Sequence, residues 1–264
     1  MRHTLRIVRE ALILGFAEMG AVYTWRTWTF GWLVRLLCQA TFYALLGGYV
    51  GDDTTMRYVL VGNIVVLACM ESTIVVISLA GERRMGTLPL LAIAPSGHLP
   101  VYLGRGLQWT VTGLVSSLTA WLVLPPLLGV PLPWPRAGYA IPVIVLILAS
   151  SYGYGCALAG VALRTRGAEW LVLNFAYGIV MTFGGVNVPV SVWPGPLRTA
   201  ANALPVVHGL EAVRGILDGA PIGHVAGLLA TEALVGACWY AVAAVSMDRL
   251  VSAGRRDGTL DHAG

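Results

Sequence analysis

Long apolar runs recur along the chain at bilayer length, separated by short polar intervals. A helix rising ~1.5 Å per residue needs about 20 mostly apolar residues to cross a membrane. Five runs meet that length, at about 30–50, 57–80, 103–129, 139–163 and 223–247. A sixth, at about 169–187, is shorter and is interrupted by Gly178, Gly184 and Gly185. The pattern predicts an all-α integral membrane protein with six transmembrane helices, folded as one domain over 1–264.

Three segments break the run of spans. In 1–27, Arg2, Arg6, Arg9 and Glu10 share one arc of a helix, while Leu5, Val8, Leu12, Phe16, Met19 and Tyr23 form an apolar stripe. That is the pattern of an amphipathic helix lying in the interface, with Trp25, Trp28 and Trp32 at the membrane boundary. Glu18 breaks the sidedness of its distal half. Segment 82–97 opens with Glu82, Arg83 and Arg84, continues through an apolar stretch too short to span, and ends at Pro95, Ser96 and Gly97, which mark a turn. Segment 187–222 contains Pro189, Pro194, Pro196, Pro205 and Pro221, and between them two short apolar stretches, 197–204 and 206–217. Neither can cross a bilayer, so they are read as a pair of short helices re-entering or capping one leaflet.

Charge orients the spans. Counted by alternate intervals, twelve Arg (2, 6, 9, 26, 83, 84, 105, 164, 166, 249, 255 and 256) fall on one side and four (57, 136, 198 and 214) on the other, Arg35 aside. The positive-inside rule places both termini in the cytoplasm and the 187–222 pair outside. No cleavable signal peptide is expected, since the charged N-terminus lacks a short apolar region followed by a small-residue cleavage site.

Composition agrees with a lipid-facing exterior. The chain is 57% hydrophobic and 11% charged, with mean hydropathy +0.74. A soluble domain carries about 25% charged residues. All 17 basic residues are Arg. The lack of Lys excludes a Walker A lysine and a Schiff-base lysine. The net charge of +4 comes from Arg residues flanking apolar runs, a topology signal and not a nucleic-acid stripe. Cys38, Cys69, Cys156 and Cys238 sit in four different apolar runs without metal-ligand spacing, and are expected to be free thiols.

The order of these elements, with two local motifs, resembles the membrane subunit of a type 2 ATP-binding-cassette exporter, the class that includes drug-resistance and polysaccharide-export permeases. The motifs are GERRMGTLPLLAIAP at 81–95 and VPVSVWPGPLRTAANALPVVHGLEAVRGILDG at 188–219, the latter with Leu204, Pro205, Glu211 and Arg214 at matching places. Pro89 departs from the acidic or polar residue common in relatives. The resemblance implies that 82–97 is a coupling helix docking into an ATPase, with Glu82, Arg83, Arg84, Thr87 and Leu88 as coupling residues. It further implies two copies of a cytoplasmic ATP-binding subunit, a second copy of this chain or a related permease, and a bacterial cytoplasmic (inner) membrane location. No cofactor is expected on this chain; ATP and Mg belong to the partner ATPase. A charge cluster such as 82–84 is also an ordinary solvated, topology-setting surface.

Pathway and gate candidates are the polar residues at membrane depth. Arg35 and Glu71 lie roughly 9 and 15 Å into their spans and are placed to pair between the first two helices; snorkelling is the other reading for Arg35. Arg35, Gln39 and Tyr43 share a face at i, i+4, i+8. Asn174, Tyr177 and Thr182 line the fifth run or bond to neighbouring helices. Glu232, in the last run, is read as structurally paired. Ser151, Gly155 and Ala159, four apart, allow close helix packing. His208, Glu211, Arg214 and Asp218 lie on one side of the second half-helix. His208 and Glu211 have metal-ligand spacing, but with Arg214 beside them an ion-pair chain serving as an outer gate is the reading adopted, and no metal site is expected.

An intramembrane enzyme is disfavoured: there is no HExxH, no Asp-rich metal motif and no Ser–His dyad on one side. The expected cargo is an amphipathic small molecule, such as a drug or natural product, or a lipid. A polysaccharide or lipid-linked glycan permease is the alternative. An ion-driven secondary transporter is another, although it commonly has repeated broken helices at the midplane and here the broken element is single.

Overall fold

A computed structural model describes residues 2–84, 98–165 and 167–257, and no strand occurs among them. The chain is an all-α integral membrane protein. Its elements are α1 (Arg2–Val22), a π-helical turn (Thr27–Leu33) continuing into α2 (Val34–Val50), α3 (Asp53–Thr73), α4 (Val75–Arg84), α5 (His98–Gly104), α6 (Leu107–Leu127), α7 (Ala140–Ala162), α8 (Glu169–Phe183), α9 (Gly195–Ala201), α10 (Val207–Asp218) and α11 (Ile222–Asp257). Among the described residues, five helical stretches are long and apolar enough to cross a bilayer: Thr27–Val50, Asp53–Gly81, Pro100–Leu127, Trp134–Ala162 and Ile222–Leu250. The shorter apolar helix α8 has 15 residues. At roughly 1.5 Å per residue it is about 22 Å long.

The bundle is built around α3 and α7. α3 packs against α2, α6 and α7, and α7 against α3, α4, α10 and α11. Residues 59–69 of α3 are buried on every side, so its apolar character runs all round, as it must for a helix surrounded by other helices. α11 sits outside this core and turns Leu234, Val242 and Val245 outward. The small residues of α7 let it come close: Ser151 and Ala159 are fully buried, and a Cβ on Gly155 would stand 3.0 Å from the Thr73 Cα. The four cysteines are free, with Cys69 and Cys156 buried and Cys38 and Cys238 exposed.

Local chemistry sets the boundaries. Asp52 caps α3, its carboxylate accepting the Thr55 N–H at 2.8 Å and the Thr54 hydroxyl at 2.6 Å. The path from α3 to α4 breaks at Ile74, whose N–H turns to the Glu71 carbonyl at 3.1 Å while Ile77 N–H turns to Ile74, so the regular i→i−4 ladder is interrupted beside Glu71. Pro194 and Pro196 open α9, where the missing N–H costs nothing. At seven and twelve residues, α9 and α10 are too short to cross a membrane. They are joined through Leu204, Pro205 and Val206, the last at φ 86°, where a β-branched residue is strained.

α1 lies against α5 and α6. Its packed face runs beside the expected stripe: Ala11 and Val8 lie against Gly104, Gly15 against Gln108, and Glu18 binds Arg105 at 2.7 Å. Of the stripe, Val8, Leu12, Met19 and Tyr23 are half-buried and Phe16 is exposed, as are Ile13 and Leu14. Small residues face the bundle because they permit close approach, and Glu18, out of place in a purely amphipathic pattern, is on that face to meet Arg105.

Candidate functional site

The strongest candidate site is a cavity of about 250 Å³ between α2 with the π-helical turn before it, the end of α3, α7 and α8. Five sequence candidates reach it from three helices: Arg35 and Gln39 from α2, Glu71 from α3, and Asn174 and Tyr177 from α8. Gln39 Nε2 donates to the Tyr177 hydroxyl, joining α2 to α8. The Asn174 amide donates back to the Trp170 carbonyl at 2.7 Å, one turn earlier on its own helix. Tyr43 lies outside the cavity with its ring edge-on to Phe42 at 5.5 Å, and Thr182 is exposed.

Arg35 and Glu71 line the same cavity without pairing. The Arg35 guanidinium lies over the Trp32 ring, 4.6 Å from its centroid. Glu71 is wholly buried, and neither of its oxygens has a hydrogen-bond partner among the described residues. The expected ion pair is therefore corrected: the π-helical turn brings Trp32 under Arg35, and the guanidinium takes the aromatic face.

Sequence reasoning misses Trp32, Tyr154 and Trp170 as the aromatic wall of the cavity. Two of them are accessible to spacing alone. Trp32, Arg35 and Gln39 follow an i, i+3, i+7 face, as do Trp170, Leu173 and Tyr177.

At the other end of α3, the short helices are tied down by a second cluster. Arg214 on α10 donates to the carbonyls of Gly185 (2.8 Å), Tyr58 (3.0 Å) and Val186 (3.1 Å), and its Cζ lies 3.3 Å from the Tyr58 ring centroid. The Tyr58 hydroxyl donates to the Gly185 carbonyl at 3.0 Å, and Asn63 Nδ2 donates to Asn187 Oδ1 at 2.9 Å. The loop after α8 is thus bound to both α3 and α10. The expected Glu211–Arg214–Asp218 chain is replaced by these bonds. No salt bridge joins Arg214 to either acid among the described residues. Asp218 instead pairs with Arg57 at 3.0 Å, and Glu211 is exposed. Helical spacing allowed the chain, but two open carbonyls of the loop after α8 and that of Tyr58 on α3 offer the guanidinium three acceptors in a dry site, a stronger demand than exposed carboxylates. His208 Nε2 lies 3.1 Å from the Asn202 carbonyl, across the α9–α10 turn.

Glu232 is buried in α11 and bonds to the same hairpin. Oε1 accepts the Val206 N–H at 3.0 Å and the Ser150 hydroxyl, and Oε2 accepts the Gly209 N–H at 3.0 Å. A carboxylate from another helix thereby caps the first turn of α10.

Of the coupling candidates, Glu82, Arg83 and Arg84 form the last turn of α4, whereas Thr87 and Leu88 lie outside the described residues. No curated protein matches the sequence. The family model described as ABC-2 type transporter matches residues 21–217, from the end of α1 through α10 and including both clusters. With most of its length so matched, and with a helical bundle of bilayer-spanning length, the chain belongs to the ABC-2 type transporter membrane family.

Proposed function

We propose that the chain is the membrane half of an ATP-driven exporter that moves amphipathic small molecules or lipid-like substrates out of the cytoplasm. The family supplies the coarse role, a multi-pass permease working with an ATP-binding subunit. The cavity between α2, α3 and α8 carries the finer reading: its aromatic walls and a few polar groups suit a ligand with an apolar body and a polar head. Two permeases and two ATPases would form the working unit. The Arg distribution supports cytoplasmic termini in the inner membrane. In that orientation Glu82, Arg83 and Arg84 end α4 on the cytoplasmic side, where with Thr87 and Leu88 they would meet the ATPase. The α9–α10 hairpin, with His208, Glu211 and Arg214, would close the outer end.

ATP binding would close the ATPase pair and push on α4. The break at Ile74 offers a joint through which that push reaches the cavity wall at Glu71.

The test is ATP hydrolysis by the reconstituted permease–ATPase complex against a panel of amphiphiles, with flux into inside-out vesicles measured in parallel. Saturable stimulation with ATP-dependent uptake supports the reading. Uptake driven by an ion gradient without ATP would overturn it. Charge reversal at Arg83 and Arg84 is expected to preserve the bundle and uncouple hydrolysis from flux.

A further inference from the structure

Glu71 stands fully buried on the cavity wall beside the polar groups of Ser116, Thr112 and Trp32, yet neither carboxylate oxygen has a partner in full hydrogen-bond geometry among the described residues. An ionised carboxylate removed from water is strongly disfavoured unless it is paired, and such a group at membrane depth faces a partner or a pathway. Arg35 lines the same cavity and acts on Glu71 through its charge, but it makes no salt bridge to it among the described residues, since its guanidinium is stacked on Trp32 and the residue is exposed. Around Glu71, the cavity presents the rings of Tyr154, Trp170 and Tyr177 and the apolar side chains of Leu36 and Met70. Aromatic faces attract cations, most strongly where water is scarce.

Resting on the export reading, we propose that this cavity selects amphipathic organic cations, with Glu71 as the counter-charge and the aromatic walls seating the apolar body. A neutral or anionic amphiphile would bring the carboxylate no paired counter-charge. A cation without an apolar body would gain the charge but forfeit the walls. The preference therefore requires both features in one molecule.

Tetraphenylphosphonium and tetraphenylborate have nearly one shape and opposite charge. Their binding to the full chain with its ATPase in nanodiscs, corrected for partition into protein-free nanodiscs, reads the charge preference directly. The phosphonium is expected to bind saturably and at least tenfold more tightly than the borate. Glu71→Gln should lower phosphonium affinity at least tenfold, and Glu71→Asp should keep the sign of the preference. Equal or tighter borate binding to the wild-type chain overturns the proposal, as does unchanged phosphonium affinity in a folded Glu71→Gln variant. If that variant does not fold, the wild-type ratio decides. ATPase stimulation by neutral amphiphiles or borate, without phosphonium preference, removes the cation site and leaves the export reading standing. Glu71-dependent phosphonium binding with no amphiphile stimulating hydrolysis keeps the site and removes the export reading.

Discussion

The Glu232 carboxylate on the last span receives the backbone N–H of Gly209 at 3.0 Å, so one helix caps another across the bundle. The same side chain takes the Val206 N–H and the Ser150 hydroxyl, and so holds the strained Val206 in place at the start of α10. The first N–H groups of a helix have no partner within it. Buried where water does not reach, they need one from elsewhere, and Glu232 supplies it for two of them.

Glu232→Ala should therefore loosen the hairpin more than the span that carries the substitution. Losing a buried acceptor for three donors is expected to destabilise the fold by on the order of 3 kcal/mol. Glu232→Gln keeps one carbonyl acceptor and should fall between. Hydrogen exchange in detergent micelles checks this: the Gly209 amide should exchange faster in both variants while α7 amides change little. Unaltered exchange at Gly209 would refute the capping role.

Arg214 and Asp218 are neighbours on α10 with opposite expected sensitivities. Arg214 satisfies three carbonyls at once, a geometry that the point charge of Lys does not reproduce. Arg214→Lys and Arg214→Ala should both destabilise, the latter by on the order of 3 kcal/mol. The Asp218 and Arg57 side chains are 67% and 32% exposed. Asp218→Asn should therefore cost less than about 1 kcal/mol. Gly62→Ala tests the site from below. A Cβ there would collide with the Val186 carbonyl and lie 2.8 Å from Arg214 Nη2. Such overpacking should cost about 1–3 kcal/mol. Thermal unfolding of the four variants ranks them, and a Gly62→Ala chain as stable as wild type would contradict the packing described.

The spans were legible because their signal is local: each is a run of apolar residues long enough for a bilayer. The cavity was legible in part for the same reason, since Arg35, Gln39, Glu71, Asn174 and Tyr177 are costly at membrane depth and must face inward. What single-helix periodicity does not contain is the choice of partner. Asp218 meets Arg57 and Glu18 meets Arg105, each set by how helices or turns are juxtaposed, and Arg35 takes Trp32 on its own face, where spacing allows the contact but does not choose it over Glu71. The break at Ile74 was also hidden, for the sequence there has neither Pro nor Gly, and the glycines packed beside it, Gly106 and Gly155, lie far along the chain.

Acid should reveal the α3 cap. Hydrogen bonds from the Thr54 hydroxyl, and then from the Thr55 N–H and hydroxyl, hold the Asp52 carboxyl down at about 2, below the ordinary value of 3.8. A depressed folded pKa means that the cap's contribution is fully present above about pH 4 and is lost as pH falls toward 2. A melting-temperature profile from about pH 5 down to about pH 2 should carry a component that Asp52→Asn removes. Identical slopes in the two proteins would show that the cap does not report its protonation.

The attachment of α1 can be tested through Glu18 and Arg105, 2.7 Å apart, with side chains 41% and 9% exposed. Removing Glu18 takes a carboxylate from a nearly buried guanidinium, whereas removing the charge of an exposed pair would matter little. Glu18→Gln is expected to weaken the docking of α1 by roughly 1–3 kcal/mol, between the values for exposed and buried pairs. Limited proteolysis within α1 and a double-mutant cycle measure it. The exchange Glu18→Arg with Arg105→Glu should recover at least half of the protection lost in the Glu18→Arg single variant, because the charges still face each other between α1 and the α5–α6 turn. A double variant no better protected than the sum of its singles predicts would show that α1 is held by the close approach of Ala11 and Gly15 alone.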